Sequence, residues 1–213
     1  MRNPCYNLVM KNKRKNLLIV FVKNPVEGKV KTRLAKSIGK KSAVNVYGRL
    51  LDHTKNVVGK VNSQIQIWYA GGISRDDLWS DMEAEKKVQI EGDLGEKMSH
   101  AFRAGFDDGF IPIVIIGSDC LQLRRDHIER AFLLLKNSDV VIGPSRDGGY
   151  YLLGMNAYQP VVFAGKSWSQ PTLYAETIGT LKQQHLSYTE LEMLNDIDTI
   201  EDLDESRIDV SMI

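Results

Sequence analysis

Residues 21–35, FVKNPVEGKVKTRLA, set Lys23, Lys29, Lys31 and Arg33 against the single acid Glu27, a local balance of +3 in a chain whose formal net charge is only +1. An apolar run breaks there into Pro25 and Gly28, and a helical pattern begins at once. Thr32 is placed to cap that helix, and Gly39 suits its far end. A helix amino end presents unpaired N–H groups and partial positive charge, so with Lys31 and Arg33 beside it the stretch suits phosphate. Arg33 can grip two phosphate oxygens through its planar fork, whereas the lysines act as point charges. The spacing is neither G-x-x-x-x-G-K-[ST] nor G-x-G-x-x-G. A solvated basic loop is the other reading of the same residues.

Two further loops carry candidate chemistry. In IIGSDCLQL (115–123) an apolar run delivers Asp119 to its end, where the carboxylate either caps a turn or holds a divalent ion. Mg²⁺ uses one or two protein carboxylates together with water and phosphate oxygens, so a lone Asp beside a phosphate site is chemically sufficient. In GPSRDGGYYLLG (143–154), Asp147 precedes a glycine pair. That pair permits either close approach of a ligand or a D-G hairpin turn. From Glu190 to Asp209 acids predominate, with Arg207 as the one cation, which reads as a solvated helix face or as a segment with a metal ligand near its start.

Other chemistries find little support. There is no G-x-S-x-G elbow, and Cys120 reads as an inert packed thiol. His53, His100, His127 and His185 lack metal-site spacing and read as surface or packing residues. Trp168, in SWSQP (167–171), reads as packing at the start of a helix, with the wall of an acceptor pocket as the sharper alternative.

The elements that must position these loops follow from periodicity. Apolar β-branched runs at 16–22, 64–70, 87–90, 112–117, 139–143 and 150–155 read as strands. Several are continuous, as in a mostly parallel sheet covered on both faces. Between them Val46, Tyr47, Leu50, Leu51, Thr54, Val57 and Val58 recur at helical spacing, as do Leu94, Met98, Ala101, Phe102 and Gly105, and Ile128, Ala131, Phe132 and Leu135. Asp93 and Glu96 resemble a capping box. The alternation predicts an α/β fold whose ligands lie outside the carboxyl ends of the strands.

With 213 residues, 43% hydrophobic and 26% charged, the chain suits one sizeable domain over 16–213. Residues 1–15, with Arg2, Lys11, Lys13, Arg14 and Lys15, read as a flexible basic tail without the apolar core of a signal peptide. A pI near 7.7 gives no basic footprint for nucleic acid, and no apolar run is long enough to span a membrane. Two cysteines, Cys5 and Cys120, suggest a reducing, cytoplasmic setting.

Taken in order, FVKNPVEGKVKTRL, EGDLGEKM (91–98), GSD (117–119), GPSRDGGYYLLG, WSQP (168–171) and DIDTIEDL (196–203) resemble the bacterial DUF2064 family, described as glycosyltransferase-A-like or nucleotide-diphospho-sugar transferase-like. More distantly they resemble molybdopterin- and phospholactate-guanylyltransferases. The resemblance implies a GT-A type three-layer α/β/α sandwich with a nucleotide at the carboxyl ends of the first strands. Lys23, Gly28, Lys31, Thr32 and Arg33 would cradle its phosphates, Asp119 would hold Mg²⁺ or Mn²⁺, and Asp147 and Asp196 would complete the metal or acceptor side. Leu121 and Ile200 stand where the family pattern has Pro, a change that bears on turn rigidity more than on charge. The expectation is a metal-dependent transferase with a nucleotide or nucleotide-sugar donor and a small-molecule acceptor. Glycosyl transfer leads, with nucleotidyl transfer from an NTP and a non-catalytic nucleotide-binding module as alternatives.

Overall fold

The computed structural model describes residues 15–74 and 77–206, so Cys5 and nearly all of the basic tail lie outside the described residues, as do Arg207 and Asp209. Strands β1 (Leu17–Lys23), β2 (Gln64–Ala70), β3 (Glu85–Val88), β4 (Ile113–Ile116), β5 (Val140–Pro144), β6 (Tyr150–Met155) and β7 (Tyr188–Glu190) form one sheet in the order β3-β2-β1-β4-β6-β5-β7. β1 pairs in parallel with both β2 and β4. Only β6 among the described strands runs against its neighbours, β4 and β5. The five residues between β5 and β6 are too few for a crossover, and a link that short can join only an antiparallel pair.

Alternate residues of the strands feed opposite faces. Leu18, Val20, Ile67, Val114 and Ile116 face Tyr47, Leu51 and Val58 of α2 (Lys40–Val58) and Ile128 and Phe132 of α4 (Arg125–Leu134). Leu17, Ile19, Trp68, Ile113 and Ile115 face Met98 and Phe102 of α3 (Leu94–Asp107) and Leu181 of α5 (Leu173–Gln183). The result is the expected α/β/α sandwich. A third, smaller cluster joins Leu34 of α1 (Thr32–Ile38) to Leu50, Ile197 and Leu203, the last in α6 (Ile200–Ser206). That cluster pins the basic loop and the acidic C-terminal segment to the same flank.

Asp93 and Glu96 close the capping box of α3 with bonds of 2.8 and 2.9 Å. Three expectations need correction. Thr32 does not cap α1: the cap position is Lys31, in left-handed conformation with φ 45°, and no side chain bonds the helix end. The segment read as a strand at 87–90 pairs over 85–88, because the register with β2 is set by Gln66 opposite Glu85. Trp168 lies in a turn ahead of α5, not in a helix, and its indole lies against α3 so closely that a Cβ on Gly95 would meet it at 2.1 Å. β7 escaped the sequence reading, since three residues, two half-buried and one exposed, are too short to display alternation.

Candidate active site

The sheet order places a switch point between β1 and β4, since the chain leaves β1 toward β2 on one side while β4 enters on the other. The loops after these two strands therefore emerge side by side at the carboxyl edge of the sheet, where open α/β sheets take their ligands. The backbone N–H of Lys23, where β1 ends, donates to the Tyr47 hydroxyl at 2.9 Å, and that hydroxyl shares a 3.1 Å hydrogen bond with Ser118 Oγ beyond β4. Tyr47 and Ser118 are both buried. The sequence marked Tyr47 only as part of an apolar stripe; nothing in its spacing reveals a hydroxyl joining two loops.

Asp119 follows, and its Oδ2 accepts from Lys31 Nζ at 3.1 Å. The same ammonium lies 3.5 Å from Asp198 Oδ1, while Arg33 reaches Asp198 Oδ2 at 3.4 Å. Lys31 is not the exposed loop cation that its neighbours suggest: its side chain is 4% exposed, against 43% for Asp119 and 67% for Arg33. Burial works against the lysine's charge, but Asp119 and Asp198 outweigh it and raise its pKa. Desolvation likewise pushes Asp119 up, yet Lys31, helped by Lys23, holds its carboxyl below the usual range.

Asp196 arrives from the far end of the chain because the backbone N–H of Ile197 donates to the Asp119 carbonyl at 3.0 Å. Its own carboxyl is pushed well above the ordinary range by burial first and then by Asp119 and Asp147, with Lys31 only partly opposing them. Asp196 Oδ1 is buried and takes no hydrogen bond from the described residues. Asp202 then orders the start of α6, its Oδ2 accepting from the Asp198 and Thr199 N–H groups at 3.0 and 2.8 Å. The acidic run is thus both a helix face and a site wall.

Asp147 sits in the β5–β6 turn, where its Oδ1 accepts from the Gly149 N–H at 2.9 Å and from the Ser145 hydroxyl. The turn and the charge coexist: Asp147 braces the hairpin and still contributes to the potential at Asp196. Gly148 has φ 87°, and a Cβ there would lie 2.0 Å from the Pro171 carbonyl oxygen, so this position requires glycine. Lys23, Gly28 and Thr32 are exposed along the basic loop, Gly28 with φ 74°. The structure therefore brings Lys31, Asp119, Asp196 and Asp198 together, with Lys23 and Asp147 close enough to shift their charges and Arg33 on the rim.

For a divalent cation the donors fit. Asp119 and Asp196 offer hard carboxylate oxygens, and one of those oxygens is buried without a partner amid like charge. No group of three metal-type side chains is arranged for an ion among the described residues. Water and substrate oxygens would have to complete the shell, the pattern Mg²⁺ favours.

Such an arrangement on this sheet defines a nucleotidyl- or nucleotide-sugar-transferase-like fold. Residues 53–170 match the model of a family described as uncharacterized protein conserved in bacteria, DUF2064, and the chain belongs to that family. Over 89% of its length it superposes with a TM-score of 0.82 and 32% identity on a proposed nucleotide-diphospho-sugar transferase from Desulfovibrio desulfuricans G20, covering 85% of that chain. It is 25% identical to the 2-phospho-L-lactate guanylyltransferase of Methanocaldococcus jannaschii over 88% of this chain and 80% of that protein. The match to the same enzyme of Methanocaldococcus fervens is 26% identical, over 63% of this chain and only 59% of that protein. Glucosyl-3-phosphoglycerate synthase from Mycobacterium tuberculosis, solved with Mg²⁺ and uridine diphosphate, shares the fold at 10% identity and a TM-score of 0.51, over 86% of this chain and 70% of that one. These relatives and neighbours are transferases. No helix among the described residues is long and apolar enough to cross a membrane.

Proposed function

We propose that this protein is a metal-dependent nucleotidyltransferase that joins the nucleotidyl group of an NTP to a phosphorylated small-molecule acceptor. The carrying observation is the placement of Asp119 at the switch point, beside the basic loop and next to Asp196 with its unpartnered buried oxygen. Similarity to guanylyltransferases over most of the chain moves the balance from glycosyl toward nucleotidyl transfer. Glycosyl transfer from a nucleotide sugar stays as the second reading, supported by the description of the Desulfovibrio neighbour.

In the nucleotidyl reading an acceptor phosphate oxygen attacks the α-phosphorus. The bond from that phosphorus to the oxygen bridging it to the β-phosphate breaks, and pyrophosphate leaves with the electron pair. Lys23 and Arg33 bind and orient the phosphate chain from the rim, Gly28 gives the loop its turn, and Thr32 offers its backbone N–H at the start of α1. Asp119 and Asp196 would hold Mg²⁺ or Mn²⁺, which when bound neutralises charge developing on the phosphate oxygens. Asp147, in the hairpin, faces the acceptor side. The backbone that carries the loop and the Asp119 carboxylate is held by the sheet and by the Tyr47 hydroxyl, so the charges that meet the phosphates stand close together before the step.

A thermal-shift panel of NTPs and nucleotide sugars, with and without Mg²⁺ or Mn²⁺, tests the reading, because a ligand bound only to the folded state raises the unfolding midpoint. Metal-dependent stabilisation by an NTP, followed by pyrophosphate release when a phosphorylated acceptor is added, is the expected result. Stabilisation by nucleotide sugars alone would transfer the assignment to glycosyl transfer. Indifference to every nucleotide would remove the site assignment altogether.

A further inference from the structure

Lys31 does not behave as a waiting phosphate ligand. Its ammonium is buried between two carboxylates of separate segments, Asp119 after β4 and Asp198 before α6, at 3.1 and 3.5 Å. Its backbone adopts φ 45°, a conformation that costs a side-chain-bearing residue free energy and is kept only where the surroundings enforce it. The adjacent Val30 is buried as well, so the loop is pulled inward at this point while residues 25–29 stay exposed. Arg33, two residues on, holds the outer oxygen of Asp198 and leaves the inner one to Lys31.

Taking the metal site of the preceding section as its basis, we propose that Lys31 is the resident cation of the ligand-free site. It holds Asp119 and Asp198 in place until a divalent ion, arriving with the phosphates of the donor, displaces it from Asp119. The freed ammonium then turns to those phosphates. A cation that shares an oxygen with the incoming metal must compete with it, so metal alone binds poorly. Metal with polyphosphate binds well, because the displaced lysine gains new anionic partners. Burial of the Lys31 ammonium sharpens this competition, since its charge is not satisfied by bulk water, while the partly exposed Asp119 carboxylate stays open to an incoming ion. The arrangement would keep the site from filling with a bare metal ion.

The test is the binding of Mn²⁺, read by electron paramagnetic resonance of free ion, to the full chain carrying Lys31 or its K31M and K31Q substitutions. K31Q retains hydrogen-bond donors to the carboxylates and serves where K31M does not fold. Removing the ammonium is expected to tighten Mn²⁺ binding in the absence of phosphate by about tenfold. The same substitution is expected to weaken binding of Mn²⁺ with inorganic tripolyphosphate by about tenfold, so the two constants move in opposite directions. A merely structural lysine would move both the same way or neither. Equal affinity for Mn²⁺ alone in the wild-type and substituted chains overturns the resident-cation inference and leaves the metal site standing. Failure of every chain to bind Mn²⁺, with or without tripolyphosphate, overturns the metal site itself and the inference built on it.

Discussion

The Tyr47 hydroxyl stands 3.1 Å from Ser118 Oγ and accepts the Lys23 N–H at 2.9 Å, so one phenol on a packing helix fixes the spacing between the basic loop and the Asp119 loop. Replacing Tyr47 with Phe keeps the ring and removes the link. A partly buried N–H and a buried hydroxyl then lose a partner, at a cost of about 1–3 kcal/mol. Urea denaturation measures that loss. The nucleotide-dependent shift in unfolding midpoint should shrink as well, because the two halves of the site are no longer held in register.

Asp119→Asn separates an enzyme-like site from a binding-only remnant. It removes the charge that the proposed site turns toward metal while leaving the amide the same size. Stabilisation by Mg²⁺ with nucleotide is expected to fall at least tenfold in apparent affinity, with binding in EDTA little changed. The fold itself should lose only about 1 kcal/mol, since Asp119 is partly exposed and solvent screens much of its pairing with Lys31. Unchanged affinity in metal would favour a nucleotide-binding module without catalysis.

Gly148→Ala probes the hairpin that carries Asp147. The new Cβ would sit 2.0 Å from the Pro171 carbonyl oxygen and on a backbone with φ 87°. Overpacking against backbone and left-handed strain together predict a destabilisation of about 3 kcal/mol. A chain that unfolds at the wild-type urea midpoint would contradict this geometry.

Asp196 gives a pH dependence of definite sign. Its folded-state pKa is raised, by burial first and by Asp119 and Asp147 next, so between its unfolded value near 4 and the raised folded value the native state binds more protons than the unfolded one. This carboxyl therefore draws stability out of the fold as pH rises through that window. Asp196→Asn should raise the unfolding midpoint near pH 7, and the advantage should vanish below about pH 4, where the acid is protonated in both states. Mg²⁺ with tripolyphosphate should narrow the difference at neutral pH, because the ionised wild type keeps a metal-holding carboxylate that the Asn variant lacks. A substitution that destabilises equally at every pH would refute the electrostatic account.

Much of the fold was legible because β-sheet cores and packing helices write their burial into local patterns. The runs at 16–22, 64–70 and 112–117 became β1, β2 and β4 almost residue for residue, and the Asp93 and Glu96 box opened α3 as its spacing implied. Short or half-buried pieces were not legible: β7 has no alternation to show, and the edge strand β3 took its register from β2. The burial of Lys31 was not legible, because burial is not a property of a residue's neighbours in sequence.

By itself, then, the sequence determined which residues bear charge, where the central strands β1, β2 and β4 run, and which segments, from FVKNPVEGKVKTRL to DIDTIEDL, belong together. Only the tertiary structure decided that Asp196 and Asp198 return to Asp119, that Lys31 lies buried between two carboxylates, and that Tyr47 ties two loops. The physical reason is range. Periodicity and turn chemistry act over a few residues, whereas these partners are separated by 24 to 167 positions and meet only because the sheet order and the Leu34, Ile197 and Leu203 cluster bring the segments around Leu34 and Ile197 onto one flank.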